Sequence, residues 1–265
     1  MIRPTVADGI NRQTMRESVG VYSIDQGLNP PEQRVFTELA DEVKNKPILD
    51  IGVGGGRTTA ALLNISSDYV GVDYMQEMID ACRTRFPGIR FEHADARSMP
   101  QFPEKSFKLI VFACNGVSMV DHHGRLAILS EVRRLLAPGG VFVFSTYNKN
   151  SAEYERWFEF PTFDYAANPI RLAVRTVRFA IDTIRGLINR LRYLRFEVHA
   201  EEYSIINDRC HHYATMLYYI SVENQLKQLK AAGFDSVPVI YDVSGELVDS
   251  SSRSDSLTYV VRLRT

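Results

Sequence analysis

From about residue 47 to residue 148, short runs that are apolar almost throughout alternate with segments whose apolar residues recur at helical spacing. The first pattern predicts buried strands and the second amphipathic helices. PILDIGV (47–53) is a strand running into glycines, and RTTAALLN (57–64) a helix. YVGVDY (69–74) is a strand, MQEMIDACRTRF (75–86) a helix, and IRFEHADA (89–96) and FKLIVFACNG (107–116) are strands. HHGRLAILSEVRRLLA (122–137) is a helix stopped by Pro138-Gly139-Gly140, and VFVFSTYN (141–148) is a fifth strand. Upstream, residues 1–30 are polar and broken by glycines, which predicts a short helix in an irregular arm; a further helix starts at Pro31. Near the end, 221–234 reads as a helix stopped by Gly233, followed by strands over 236–243 and 256–264. This order predicts an α/β fold, doubly wound, with a mostly parallel seven-stranded sheet covered on both faces.

Residues 150–220 interrupt the alternation. They hold an aromatic stretch with Tyr154, Trp157, Phe158, Phe160 and Tyr165, then a long helical pattern over 169–194. Two strands, RFEVHAEEYSIIN and HHYATMLYYI, are expected next, joined by a turn at Asn207-Asp208. The resulting division is an N-terminal arm and helix (1–45), a Rossmann-like core (46–149), a lid insertion (150–220) and a C-terminal helix with the last two strands (221–265). The lid is expected to pack outside the sheet, at the edge where ligands of such folds sit.

The sharpest chemical signal is Asp50-Ile51-Gly52-Val53-Gly54-Gly55-Gly56, between a strand and a helix, with Asp73 closing the second strand about twenty residues on. Glycine permits a tight turn and a close backbone approach to a ligand, and a carboxylate at that strand end can accept from both hydroxyls of a ribose. The same arrangement would serve a nicotinamide dinucleotide, so an NAD-dependent dehydrogenase stands as the alternative enzyme. ILDIGVGGG, GVDYMQEMI, FEHADARSMP, FKLIVFACNGVSMV and EVRRLLAPGGVFVFSTYN, in that order, resemble the successive motifs of class I S-adenosylmethionine-dependent methyltransferases. The resemblance covers residues 45–150 and implies S-adenosyl-L-methionine as cofactor. It implies that Asp50, Gly52, Gly54 and Gly56 form the loop against the methionine moiety and that Asp73 holds the ribose. By the same resemblance Tyr74 and Met75 flank the adenine, Asp95 and Ala96 bond it, Cys114 and Asn115 lie near the sulfonium, and Tyr22 of the arm closes over the cofactor.

The cofactor brings an activated methyl group, so the protein must chiefly align the acceptor, adding a base if the acceptor is an alcohol. His122 and His123, after the fourth strand, and His211 and His212, in the insertion, are the candidate bases. On a strand, adjacent residues such as His211 and His212 would point to opposite faces. No metal site is expected, because Cys210-His211-His212 lacks further ligands at suitable spacing. The predicted function is methyl transfer to oxygen or nitrogen of a small molecule: a sugar, a secondary metabolite or a lipid precursor.

Charge and composition narrow the partners. A net charge of −1 over 265 residues argues against nucleic acid. Asn29-Pro30-Pro31 lies before the first strand rather than after the fourth, which excludes DNA adenine methylation by that motif. Cys82, Cys114 and Cys210 are odd in number and scattered, and no signal peptide is apparent, which predicts a cytoplasmic protein. The stretch 170–195 is basic and amphipathic. A lid or homodimer helix with its apolar side packed is the preferred reading, and contact with an anionic membrane surface the other. A membrane-surface regulatory protein that binds the cofactor without turnover is the non-enzymatic alternative.

Overall fold

The computed structural model describes residues 5–22, 27–156, 158–163 and 165–264, except the side chains of Val21 and Tyr22. Two short helices, α1 (Val6–Glu17) and α2 (Val19–Tyr22), form the arm, and α3 (Pro30–Val43) leads into the core. The core alternates β1 (Ile48–Ile51), α4 (Thr59–Ile65), β2 (Tyr69–Asp73), α5 (Gln76–Arg85), β3 (Arg90–His93), β4 (Phe107–Phe112), α6 (His122–Leu135) and β5 (Leu136–Asn148). The insertion contributes α7 (Pro169–Tyr193), β6 (Val198–His199), β7 (Tyr203–Asp208), a single turn α8 (Cys210–Tyr213) and β8 (Thr215–Ile220). The chain ends with α9 (Val222–Ala231), β9 (Val239–Tyr241) and β10 (Ser256–Arg262).

The seven expected strands are β1–β5, β9 and β10. Strands β3, β2, β1, β4 and β5 lie side by side and parallel in that order; β10 then pairs antiparallel with β5, and β9 with β10. Burial explains the near-continuous apolar strands. Leu49, Val72, Ile110 and Phe144 pack on one face, towards α6 and α9. Ile48, Leu109, Val111 and Val143 pack on the other, towards α3 and α5.

The insertion departs from expectation in two ways. Its strands do not pack outside the sheet. β8 pairs in parallel with Tyr147 and Asn148 at the end of β5, beyond Phe144, the last β5 residue paired with β4, and β7 and β6 extend the sheet outward. Lys149 donates its backbone N–H to Ile220, whereas Asn148 donates to Asp255 on the β10 side. The hairpin therefore stands on the β4 side of β5, past the end of β4. The second difference is the turn. β7 continues through Asn207 and Asp208, which pair with Met216 and Thr215, so the reversal comes at 209–214. His211, His212 and Tyr213 have φ of 53°, 55° and 59° and are not on a strand. The alternation argument for the two histidines therefore does not apply.

Candidate functional site

The parallel strands β1–β4 end on one edge, and the loops after them bring most of the expected residues together. Local chemistry shapes the first loop. Gly52, Gly54 and Gly56 all have positive φ, of 64°, 54° and 82°, a region that side chains disfavour. Their surroundings differ. A Cβ on Gly52 would stand 2.7 Å from the ring of Phe112, and one on Gly56 would stand 2.6 Å from the ring of Phe86. On Gly54 a Cβ would meet only the carbonyl of Gly52, at 4.0 Å. The outer glycines thus let β4 and α5 close on the loop, while the middle one borders open space of the kind a ligand can fill.

Asp73 is 6 % exposed and ends β2 directly beside this loop. Its Oδ2 accepts from the Gly54 N–H at 3.0 Å and its Oδ1 from the Met75 N–H at 2.8 Å, and the Tyr74 backbone also acts on the carboxylate. Burial raises its pKa above the usual aspartate value, and the backbone donors oppose that rise. A carboxylate oxygen can take a second donor, so the group is oriented without being saturated. Asp50 is placed differently. Its side chain is 1 % exposed and accepts from the hydroxyls of Thr58 at 2.6 Å and Tyr69 at 2.9 Å. Burial lifts its pKa to about 6. It braces the loop from behind.

Met75 is buried, and Tyr74 is half-buried with the Arg12 guanidinium 5.5 Å from its ring centre. Asp95 and Ala96 follow β3. Arg97 grips Asp95 through both its Nε and Nη2 at 2.7–3.1 Å and also reaches Asp8 at 2.7 Å. Burial works against ionisation of Asp95, but Arg97 outweighs it and holds the pKa below the usual carboxylate range. After β4, Cys114 and Asn115 have φ of 53° and 57°, two consecutive non-glycine residues in the left-handed region. Cys114 is exposed. The Asn115 backbone N–H donates to Ser145 Oγ at 2.7 Å, and its Oδ1 is buried with no hydrogen-bond partner. An unpaired buried acceptor at a strained strand end is the kind of group a ligand completes. The Tyr22 side chain lies outside the described residues.

Helix α1 crosses this edge, and sequence reasoning missed the residues that hold it there. Asn11, 2 % exposed, donates to the carbonyls of Met119 and Met216 at 2.8 Å each and accepts from Met216 N–H at 2.8 Å. It ties the arm to both the loop after β4 and the insertion. A buried asparagine in a polar helix gives no sequence signal. Arg57 is bidentate on the buried Glu32 at 2.5 and 2.6 Å, which fixes the start of α3 beside the glycine loop.

The four candidate histidines separate. His122 donates to or accepts from Tyr218 at 2.9 Å and stacks on Tyr203 with centroids 4.2 Å apart, while His123 is exposed. Tyr218 in turn lies on Arg125, a fully buried cation bonded to Val117 O, Thr146, Gln225 and Gln228, with no carboxylate on it among the described residues. Burial lowers the Arg125 pKa to about 10. His122 therefore belongs to a structural cluster that locks the loop after β4 to α9. His211 sits on the left-handed turn, 3.1 Å by Nδ1 from Ser18 Oγ at the end of α1. Burial and the adjacent His212 lower its pKa. His212 lies 3.8 Å from Asp182 of α7. Tyr147, at the end of β5, connects this turn to the core: its hydroxyl is 3.6 Å from Cys210 Sγ, with the Asn115 side chain also acting on it.

Of the expected aromatic wall, Tyr154 bonds Ser204 at 2.8 Å and Phe158 stacks on Tyr213 with centroids 5.0 Å apart. Phe160 and Tyr165 are 68 and 71 % exposed, Phe160 meeting Phe158 edge-on with centroids 5.3 Å apart, and Trp157 lies outside the described residues. Among the described residues no three His, Cys, Asp or Glu side chains are grouped to hold a metal ion.

A parallel sheet closed by one reversed strand, with a glycine loop facing an acid-ended second strand, defines a Rossmann-like methyltransferase domain. It differs from the dinucleotide fold of order 3-2-1-4-5-6, because β10 runs antiparallel between β5 and β9. Residues 48–140 match the family model described as a methyltransferase domain. A ubiquinone biosynthesis O-methyltransferase of Aliivibrio fischeri is 26 % identical over 130 residues, which are 48 % of this chain and 55 % of that protein. The phthiotriol/phenolphthiotriol dimycocerosates methyltransferase of Mycobacterium tuberculosis is 32 % identical over 134 residues, 49 % and 46 % of the two chains. The chain spans about half the length of the curated relatives it matches. The solved 1,6-didemethyltoxoflavin-N1-methyltransferase of Burkholderia thailandensis, with bound 1,6-didemethyltoxoflavin and S-adenosylhomocysteine, superposes with TM-score 0.60 at 14 % identity, covering 100 % of this chain and 94 % of that one. Residues 48–140 thus carry a methyltransferase domain, and these comparisons support the resemblance of the chain to class I S-adenosylmethionine-dependent methyltransferases.

Proposed function

We propose that this protein transfers the methyl group of S-adenosylmethionine to an oxygen or nitrogen of a small molecule. The observation that carries this reading is the open space over Gly54 next to Asp73, a carboxylate oriented by backbone N–H groups at the end of β2, where it can accept from a ribose diol. The orphaned Oδ1 of Asn115 and the exposed Cys114 stand at the neighbouring strand end, where the resemblance puts the sulfonium. When bound, the cofactor supplies the electrophilic methyl; the protein supplies alignment and exclusion of water. Relatives named as O- and N-methyltransferases support oxygen or nitrogen as the acceptor atom. The insertion, standing past the end of β4, is the acceptor wall in this reading. His211 is the base for an oxygen acceptor, because its lowered pKa keeps the imidazole neutral near pH 7.

Calorimetry with S-adenosylhomocysteine tests the cofactor site. Wild type binds it and not NAD(H), and Asp73→Ala weakens binding by about 1.5–3 kcal/mol, the scale of hydrogen bonds to a charged group. Unchanged affinity in a folded Asp73→Ala variant removes Asp73 from the site. A methyl-release assay over alcohol and amine metabolites then identifies the acceptor. With an alcohol, His211→Gln lowers kcat by about a hundredfold or more while cofactor affinity stays unchanged.

A further inference from the structure

Helix α7 carries a surface that the methyltransferase reading does not use. Ile170, Val174, Val177, Ile181, Ile184 and Ile188 follow one another at alternating spacings of four and three residues and are 57–75 % exposed. Leu191, 60 % exposed, continues the line. The opposite side of the helix is the one that packs: Gly186 and Arg190 are buried, Phe179 meets Phe163, and Asn189 donates to the carbonyl of His212 at 2.9 Å. Among the described residues of this chain, then, no other element packs on the apolar stripe. From Ile170 to Leu191 the stripe faces outward along about 33 Å of helix, at about 1.5 Å per residue.

One flank of the stripe is a row of exposed arginines, Arg171, Arg178, Arg185 and Arg192, one every seven residues; the other is Ala173, Ala180 and Leu187. Asp182 is the sole acid of the helix and lies on the inner side, half-buried near Arg178 and His212. Just before the helix, Phe160 and Tyr165 add exposed aromatic rings. This charge pattern decides between occupants. A second copy packed antiparallel would set arginine row against arginine row. Packed parallel, it would set the arginines against alanines and bring them no carboxylate from the partner, leaving only the long contacts of Arg178 with Asp182 and Arg185 with Glu17. A bilayer surface with anionic headgroups offers an acyl layer for the stripe and phosphates for every arginine. No helix among the described residues is long and apolar enough to cross a membrane, so the contact is in-plane.

The geometry points to α7 as a docking helix for anionic lipid surfaces, lying flat with its aliphatic stripe in the headgroup–acyl boundary. Its inner side holds the left-handed turn through Asn189 on the His212 carbonyl and Arg190 over the Tyr213 ring, so docking bears directly on the insertion wall.

Sedimentation of the full chain with phosphatidylcholine vesicles, with and without phosphatidylglycerol, tests this. The protein is expected to bind the anionic vesicles, to prefer them over the neutral ones, and to lose binding as salt rises. Arg171→Glu/Arg178→Glu/Arg185→Glu should lower partitioning on the order of a hundredfold, and Val177→Glu/Ile184→Glu about tenfold or more. All five side chains are exposed, so far-UV circular dichroism and the melting temperature should stay at wild-type values. Equal binding to both vesicle types, no binding, or variants that bind like wild type would overturn the proposal. So would a lipid-free dimer, seen by light scattering, that Val177→Glu/Ile184→Glu dissolves, since a second copy would then cover the stripe.

Discussion

The glycine loop of the core and the turn of the insertion, the two walls of the proposed acceptor cleft, are held in shape by different means. On the core side, the glycine loop owes its path to glycines at positive φ; the outer two, Gly52 and Gly56, are closed upon by Phe112 and Phe86, while Gly54 borders open space. On the insertion side, His211, His212 and Tyr213 adopt the same region of backbone space without glycine, at a cost of about 1–2 kcal/mol each. Distant side chains fix them there. Asn207 donates to the carbonyls of Tyr213 and Thr215 at 2.7 and 3.0 Å, Thr14 to that of Ala214 at 2.5 Å, and Asn189 to that of His212 at 2.9 Å. The Tyr213 hydroxyl accepts from Glu159 N–H at 2.6 Å. A wall made of backbone keeps one shape whatever is bound; a strained wall made by side chains from α1, α7 and β7 responds to each of them.

The sharpest way to break the core wall is Gly52→Val. Its side chain would enter the Phe112 ring at a φ of 64°, and a loss of about 3–5 kcal/mol in urea unfolding is expected. Gly54→Val meets open space instead, so it should cost only about 1–2 kcal/mol while abolishing S-adenosylhomocysteine binding by calorimetry. If the two variants proved equally destabilised, the distinct roles given to the glycines would be wrong.

On the insertion side, Asn207→Ala strips two buried carbonyls of their donor. A loss of about 2–3 kcal/mol is expected, along with methyl transfer, while cofactor affinity stays near wild type. A variant that keeps full turnover would show that the turn's shape does not matter to the acceptor.

Asp50 adds a pH test of the core wall. Its folded pKa, about 6, lies above the usual aspartate value of 3.8, so the folded state favours the protonated form. Its contribution to stability is full below about pH 3.8 and is lost as pH rises through 6. Asp50→Asn should remove that loss, on the order of 2–3 kcal/mol, and flatten the stability curve between pH 4 and 6. A slope identical to wild type in chemical denaturation would contradict the assignment. The smallest effect is expected from His212→Gly, which relieves a left-handed residue whose side chain makes only a 3.8 Å contact with Asp182. After the entropy cost of glycine, a gain of about 0.5 kcal/mol should remain, read as a slightly higher Tm.

The sequence by itself determined the core elements, the loop glycines and the acid at the end of β2. These are local: strand burial imposes apolar runs, helices impose their spacing, and a positive-φ turn selects glycine within a few residues. It also marked α7 as amphipathic and basic. Tertiary structure alone decided which side of α7 is covered, because hydrophobic spacing records that a stripe exists and not what lies against it. It decided that the insertion's strands join the sheet at Tyr147 and Asn148, and that β7 runs on through Asn207 and Asp208 because Met216 and Thr215 pair with them. It separated His122, locked onto Tyr203 and Tyr218, from His211, held on a turn whose residues show no preference for a left-handed backbone. Asn11, Tyr147 and the tie of Arg97 to Asp8 were invisible for the same reason: each joins partners tens or hundreds of residues apart, and no local pattern records such a pairing.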